Sequence, residues 1–465
     1  MFRNNKIFLN IKLDFKIFFV LFILTILNIY GSEFSDDINH YHYSYITNTD
    51  QSNYIWGLSF LHPLFGTSPL WLVGHSYFNF DSSVLQDIHI LNGVLFFLIC
   101  GLFITELKNS NKDLSPYHVI ICSFLIFILI KYTRLKEFGI DRPAYILSFF
   151  LIYFYFKYFN FKQLDKKTNF FLVLSLVSMS IFFIKIIFIF YLLIPLYVLY
   201  LYKSSILKFN IKTNFLLIIF FSYLVKNFLI SGCFLFPSSL SCLKTIPWNN
   251  FNGAFILAQD SEIFNKSWPL YNGNLNEIEY IKNFNWFKTW FVRHKVELLE
   301  IISTFILVIF LTILSFKFKT YRSLKKNYNF YSTEIIIFII IIFSLILFFL
   351  KNPNIRMNHH ILIFSMVLMF INFLRFKIIN IKKNFFWSII VIAIIFNYSK
   401  NLDRLIEIEF NNEPIKILSK KIKKPKKYNI DEFEYYVGWY GNTPIGNNIL
   451  KNKKFKKLSI FKIIY

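Results

Sequence analysis

The chain has 465 residues, of which 55% are hydrophobic, 21% aromatic and 17% charged, and its mean hydropathy is +0.48. That usage excludes an ordinary soluble domain and points to a membrane protein. The net charge of +25 does not read as a nucleic-acid footprint, because the lysines and arginines cluster between apolar runs, where they attract anionic membrane lipid and fix orientation.

A basic N-terminus leads into an apolar run near 15–30, and Ile29-Tyr-Gly-Ser-Glu33 lacks a small-residue cleavage site, so the run reads as a retained first helix. Further candidate spans fall near 88–106, 116–132, 143–158, 169–184, 186–202, 213–230, 298–316, 334–350, 359–375 and 384–397. The expected fold is therefore an all-α polytopic membrane protein of about 11 transmembrane helices, roughly 9–13. Residues 1–397 form the membrane domain, with outer loops at 31–87 and 231–297, and 398–465 form a small C-terminal extramembrane tail.

Alternating sides along these spans tests the orientation. With the N-terminus cytoplasmic, the inside connections hold Lys108 and Lys112, Lys157 to Lys167, Lys203 to Lys212, Lys317 to Lys326, and Arg375 to Lys383. Short basic connections belong inside. The first outer loop, by contrast, lies within a stretch from Lys16 to Lys108 that contains no lysine or arginine. The tail carries Lys420-Lys-Ile-Lys-Lys-Pro-Lys-Lys427, an inside-like run, but long terminal segments obey the rule weakly, and it is assigned outside. This arrangement puts every histidine except His118, and every tryptophan except Trp387, in outer loops or at their margins.

The first loop opens with Glu33-Phe-Ser-Asp-Asp-Ile-Asn-His-Tyr-His-Tyr43. In a helix, Asp36 and His40 stand i,i+4 with Asp37 one turn from Tyr41. A carboxylate and an imidazole so placed can share a proton or a divalent cation, with Asp37 and His40 as metal ligands; the carboxylates can equally cap the helix. Asp141, in Phe138-Gly-Ile-Asp-Arg-Pro143, sits at the mouth of a span, where charge is usually paired or functional. It either completes the carboxylate set or caps a helix with Pro at its first turn. Lys185 interrupts an apolar run, and Arg356 sits among Asn354, His359 and His360. Such cations need an anion, which a lipid phosphate supplies, unless they snorkel to headgroups.

In the second outer loop, Trp248 and Trp268 can stack on sugar rings or mark the membrane interface. Of four cysteines, Cys100 and Cys122 lie in apolar runs as core residues. Cys233 and Cys242 flank a polar stretch and can form a disulfide if the loop faces an oxidising compartment. No Gly-rich phosphate cradle and no convincing internal repeat occurs, which weighs against a transporter built from inverted halves.

Taken in order, Asp36-Asp-Ile-Asn-His-Tyr-His-Tyr43, His62-Pro-Leu-Phe-Gly66, Ser68-Pro-Leu-Trp71, Asp141-Arg-Pro143, Ile184-Lys185, Lys226 to Pro237 and Asn352-Pro-Asn-Ile-Arg356 resemble the GT-C superfamily of polytopic membrane glycosyltransferases. The resemblance is closest to an uncharacterised bacterial group of GT-C-like membrane proteins. It covers most of the chain through short motifs whose order is the specific feature. His62-Pro departs from the Gly expected there, and Asn354 replaces the usual acidic or Pro position.

The resemblance implies a multi-pass enzyme of the bacterial cytoplasmic membrane that transfers a sugar from a polyprenyl-phosphate donor to a glycan, lipid or protein acceptor on the outer face. It implies Asp36 or Asp37 as general base or as ligand of a divalent cation (Mg or Mn), and Lys185 and Arg356 as contacts of the donor phosphate. Asp141 joins the carboxylate set, and His40, Tyr41, His42, Trp248 and Trp268 contact the sugar or acceptor. The competing expectations are a lipid-linked saccharide flippase, a polysaccharide polymerase, and a noncatalytic GT-C-like protein.

Overall fold

A computed structural model of the chain describes residues 15–30, 37–50, 54–77, 90–109, 113–114, 116–135, 139–158, 164–202, 211–267, 277–314, 316–317, 330–355, 358–365, 380–410, 425–430, 433–440, 443–444, 455–458 and 461–464. These residues are mostly helical. The principal helices are α1 (Phe15–Tyr30), α2 (Tyr43–Asp50), α3 (Leu70–Ser76), α4 (Ile90–Asn109), α5 (Pro116–Lys131), α6 (Asp141–Tyr158) and α7 (Leu164–Ile184). They are followed by α8 (Leu193–Leu201), α9 (Ile211–Ser231), α10 (Phe251–Ser267), α11 (Glu277–Ile281), α12 (Phe287–Leu314), α13 (Phe330–Lys351) and α14 (Lys383–Phe410). Residues 358–365 are also helical.

One large apolar core runs through α1, α4 to α8 and α12 to α14. Gly93 of α4 lies against Ile29 and Thr25 of α1, where a Cβ would meet the Ile29 side chain at 2.6 Å; glycine there lets the two helices close. Many large apolar side chains nevertheless face outward, including Phe15, Phe18, Phe19 and Phe22 on α1, Leu217, Ile218 and Phe221 on α9, and Ile392 and Ile395 on α14. By length and composition, Ile90–Asn109 and Thr213–Ser231 are long and apolar enough to cross a membrane, and five shorter apolar helices accompany them.

The expected division at Lys185 is present. That residue adopts an extended conformation between α7 and a 3₁₀ turn, Ile186–Leu192, which leads into α8.

Segments assigned to opposite sides collect at opposite ends of the helices. At one end Asp113–Leu114 and Phe316–Lys317 both pair antiparallel with Asn380–Lys382, and Lys157 binds Glu106 at 2.6 Å. At the other end the first loop meets the segment after α9, and Lys351 and Lys266 both bind Glu262 at 2.6 Å. Asn354 there faces Asn265.

Two expected boundaries shift. The domain limit at 397 falls inside α14, which runs on to Phe410. The polar residues that made the apolar run look finished are satisfied by packing: Asn397 donates to the Leu129 carbonyl, Asn401 to Asn28 Oδ1, and Arg404 to Thr133. The span expected at 298–316 likewise starts at Phe287, because its polar first turns bury Trp290 and His294.

The C-terminal tail packs on the first loop. Its strand Phe461–Ile464 pairs in parallel with Tyr54–Trp56 and antiparallel with Phe455–Leu458. Tyr435, Val437 and Ile464 share a core with Ile38, Tyr45, Ile46 and Ile55. The Asn48 side chain also accepts from Tyr436 N–H and donates to Tyr436 C=O.

Candidate functional site

Asp37 starts a turn of π-helix, Ile38–His42, that runs straight into α2; the Tyr43 N–H reaches back to the Ile38 carbonyl. Such bulges occur mostly as single turns and often at functional sites. Ile38 and His42 both turn into the interior. Asp37 makes no side-chain cap hydrogen bond, so capping does not account for it. Asp36 lies outside the described residues.

Around this turn the first loop folds back on itself. His62, at the start of the 3₁₀ turn Pro63–Thr67, accepts the Leu64 N–H on Nδ1. Its ring meets His40 edge-on at 4.9 Å and lies parallel to Tyr41 at 6.0 Å. Trp71 donates to Asn92 Oδ1 at 2.7 Å and packs edge-on against His75.

Asp141, the first residue of α6, binds Lys185 Nζ at 2.5 Å. Arg142 turns instead to the Arg134 carbonyl. Lys185 also lies over the Phe188 ring, which packs on His360, and His360 stacks on Tyr145 at 4.6 Å. The two halves adjoin: Ile140, beside Asp141, and Tyr41 both pack against the core that holds Ile38.

Burial sets the protonation of these imidazoles. Desolvation lowers His40 against the pull of Asp37, lowers His42 to about 4 against Asp37 and Asp141, and lowers His62 and His75 to about 3. All four are neutral near pH 7. Neither ring nitrogen of His42 has a hydrogen-bond partner among the described residues.

The structure thus gathers Asp37, His40, Tyr41, His42, Asp141 and Lys185 in one place. Trp248 stands apart: its indole N–H donates to the Phe228 carbonyl and its ring packs on Trp56, so it braces the loop. Trp268 and Arg356 lie outside the described residues. Cys233 and Cys242 are joined in a disulfide. For a divalent cation the fit is poor: among the described residues no three His, Cys, Asp or Glu side chains converge as ligands. Asp37 and His40 alone do not make such a site, and no step below uses a metal.

His62, His75 and His360 join the cluster without having been singled out as site residues. A lone imidazole in an aromatic-rich run has no spacing signal; the one cue was Pro63 after His62, marking a capped turn.

The loop is anchored to the end of α9. Lys226 Nζ donates to Ser68 C=O at 2.6 Å, Ser68 Oγ binds Asn227, Gly57 N–H reaches Leu229 C=O at 2.9 Å, and Gly66 abuts the Phe236 ring. Asp37 and neutral imidazoles on a braced loop, with the Asp141–Lys185 pair on the helical elements beside it, can accept a proton on one side and face an anionic leaving group on the other.

A model for a domain of unknown function, DUF8201, matches residues 2–363. No curated protein and no solved structure matches the chain.

Proposed function

The chain belongs to the DUF8201 family, a domain of unknown function, and for this member we propose a multi-pass membrane glycosyltransferase that uses a polyprenyl-phosphate sugar on the outer face of a bacterial cytoplasmic membrane. The observation that carries the reading is the Lys185–Asp141 ion pair beside the turn that Asp37 starts, where Ile140 packs on the core that holds Ile38. The order of motifs that resembles GT-C enzymes supplies the reaction class.

In this reading the acceptor hydroxyl oxygen bonds to the anomeric carbon as the bond from that carbon to the phosphate oxygen breaks. The bonding pair leaves with the polyprenyl phosphate, the hydroxyl proton passes to Asp37, and the anomeric configuration inverts. Lys185 faces the phosphate as it gains charge, and Asp141 holds Lys185 in position before the donor arrives. Neutral His40, which is partly exposed, presents polar surface to the sugar, while His42 is buried.

Spanning of the membrane by about eleven helices is part of the proposal. The apolar helices, their outward-facing Phe, Leu and Ile side chains, and the sorting of basic connections to one end support it. The Cys233–Cys242 bond supports an oxidising compartment for the other end.

Replacing the genomic Asp37 or Asp141 codon by Asn and profiling envelope glycans by mass spectrometry tests the reading. Loss of a glycan component with the protein still in the membrane is expected, and unchanged glycans in both strains would refute it.

A further inference from the structure

Beside the histidine cluster lies a cavity of about 320 Å³ built from the first loop (Ser59, Phe60, Pro63) and the start of α10 (Asn249 to Gly253). Its size is at the lower end of ligand pockets, roughly 300–1,000 Å³, enough for a short saccharide. None of its lining residues is charged, which argues against a phosphate or a metal ion. A wholly apolar occupant fits no better: Asn249, Asn250 and Asn252 line the space, and an alkyl chain would cover the exposed Asn252 amide without offering it a hydrogen bond.

The remaining chemistry is amide and ring. Asn250 is spent on structure, donating to Ser59 and accepting the Gly253 N–H. The exposed Asn252 amide is left to meet hydroxyls, and Phe60 and Phe251 border the same space. Aromatic rings with convergent amides suit a neutral sugar, whose C–H face stacks while its hydroxyls donate and accept. The cavity also adjoins the candidate centre along the chain, because Pro63 follows His62 and His62 touches His40.

We infer that this cavity is a subsite for a neutral saccharide ring of the acceptor, so that the acceptor is an existing glycan rather than a lipid headgroup or a protein hydroxyl. The identification as an acceptor subsite rests on the transferase reading; the binding itself does not.

Saturation-transfer NMR on the full chain in nanodiscs tests it, with methyl glycosides of glucose, galactose, mannose and N-acetylglucosamine as probes and inorganic phosphate as competitor. At least one glycoside should bind. Asn252→Trp, which fills the opening from an exposed position, and Asn252→Leu, which removes its amide, should each weaken binding about 5-fold or more, at least the loss of one hydrogen bond. Asn252→Gln, which keeps the amide, should bind, and phosphate should not compete. No transfer to any glycoside, equal transfer in Asn252→Trp, or displacement by phosphate would overturn the inference. An Asp37→Asn chain should bind glycosides as wild type does; if it also transferred sugar at the wild-type rate, the transferase reading would fail and the saccharide site would stand.

Discussion

Lys185 and Asp141 show what single residues disclose in a sequence such as this. Each was legible because charge at the edge of an apolar run requires a partner, and each found it in the other, 44 positions away. Which cation would meet which carboxylate was not legible, since nothing local fixes a pairing across two helices. Lys185→Met should therefore take from Asp141 its lysine partner and lower the thermal midpoint more than the double change Lys185→Met with Asp141→Asn; a larger loss in the double variant would contradict the pairing.

The histidines give a pH dependence. His42, His62 and His75 have folded values of about 4, 3 and 3 against 6.5, so below pH 6.5 the unfolded chain binds more protons than the folded one. Stability should fall as pH drops from 6.5 and level off only near 3. Thermal midpoints between pH 7.5 and 4 check this, and His62→Gln should flatten the slope.

At the scale of elements, helix interiors followed the apolar pattern, but helix ends did not. The run ending at 397 looked complete because Asn397, Asn401 and Arg404 are polar, yet each is bonded to α1, to α5 or to the segment after α5. Hydropathy cannot distinguish a polar residue facing water from one facing a carbonyl. The π-turn at Ile38–His42 was similarly hidden, because its register depends on what packs around it.

The tail's return to the first loop was also invisible, its strands being separated from Tyr54–Trp56 by about 400 residues of sequence. That contact makes a sharp test. Gly438 lies so close to the turn that a Cβ would meet His40 O at 1.9 Å, so Gly438→Val should detach the tail. Faster hydrogen exchange across 37–48 and 433–437, with α5 and α6 unchanged, is the expected result; unchanged exchange at 37–48 would contradict the bracing role. Breaking the loop anchor by Asn227→Leu should cost about 1–3 kcal/mol through buried groups left unpaired, read as lower thermal stability.

For the whole molecule, the decisive regularity is the separation of two ends. The connections rich in lysine pair through three short strands at one end, while the candidate site, the disulfide and the tail lie at the other. The family match ends at residue 363, so the tail that braces the site lies beyond the matched region. An impermeant maleimide should label Leu240→Cys, which is 98% exposed, in intact cells, and label Asn109→Cys only after permeabilisation. Labelling of both in intact cells would contradict the orientation.

In the proposed transferase Asp37, Asp141 and Lys185 form one group-transfer centre. Its most direct test is release of polyprenyl phosphate from polyprenyl-phosphate monosaccharides by the purified chain in liposomes supplied with envelope glycan. Wild type should release it with the sugar appearing on the glycan, and Asp37→Asn should lower the rate by about 10²-fold or more, the usual contribution of a general base. Release by Asp37→Asn at the wild-type rate would contradict the account.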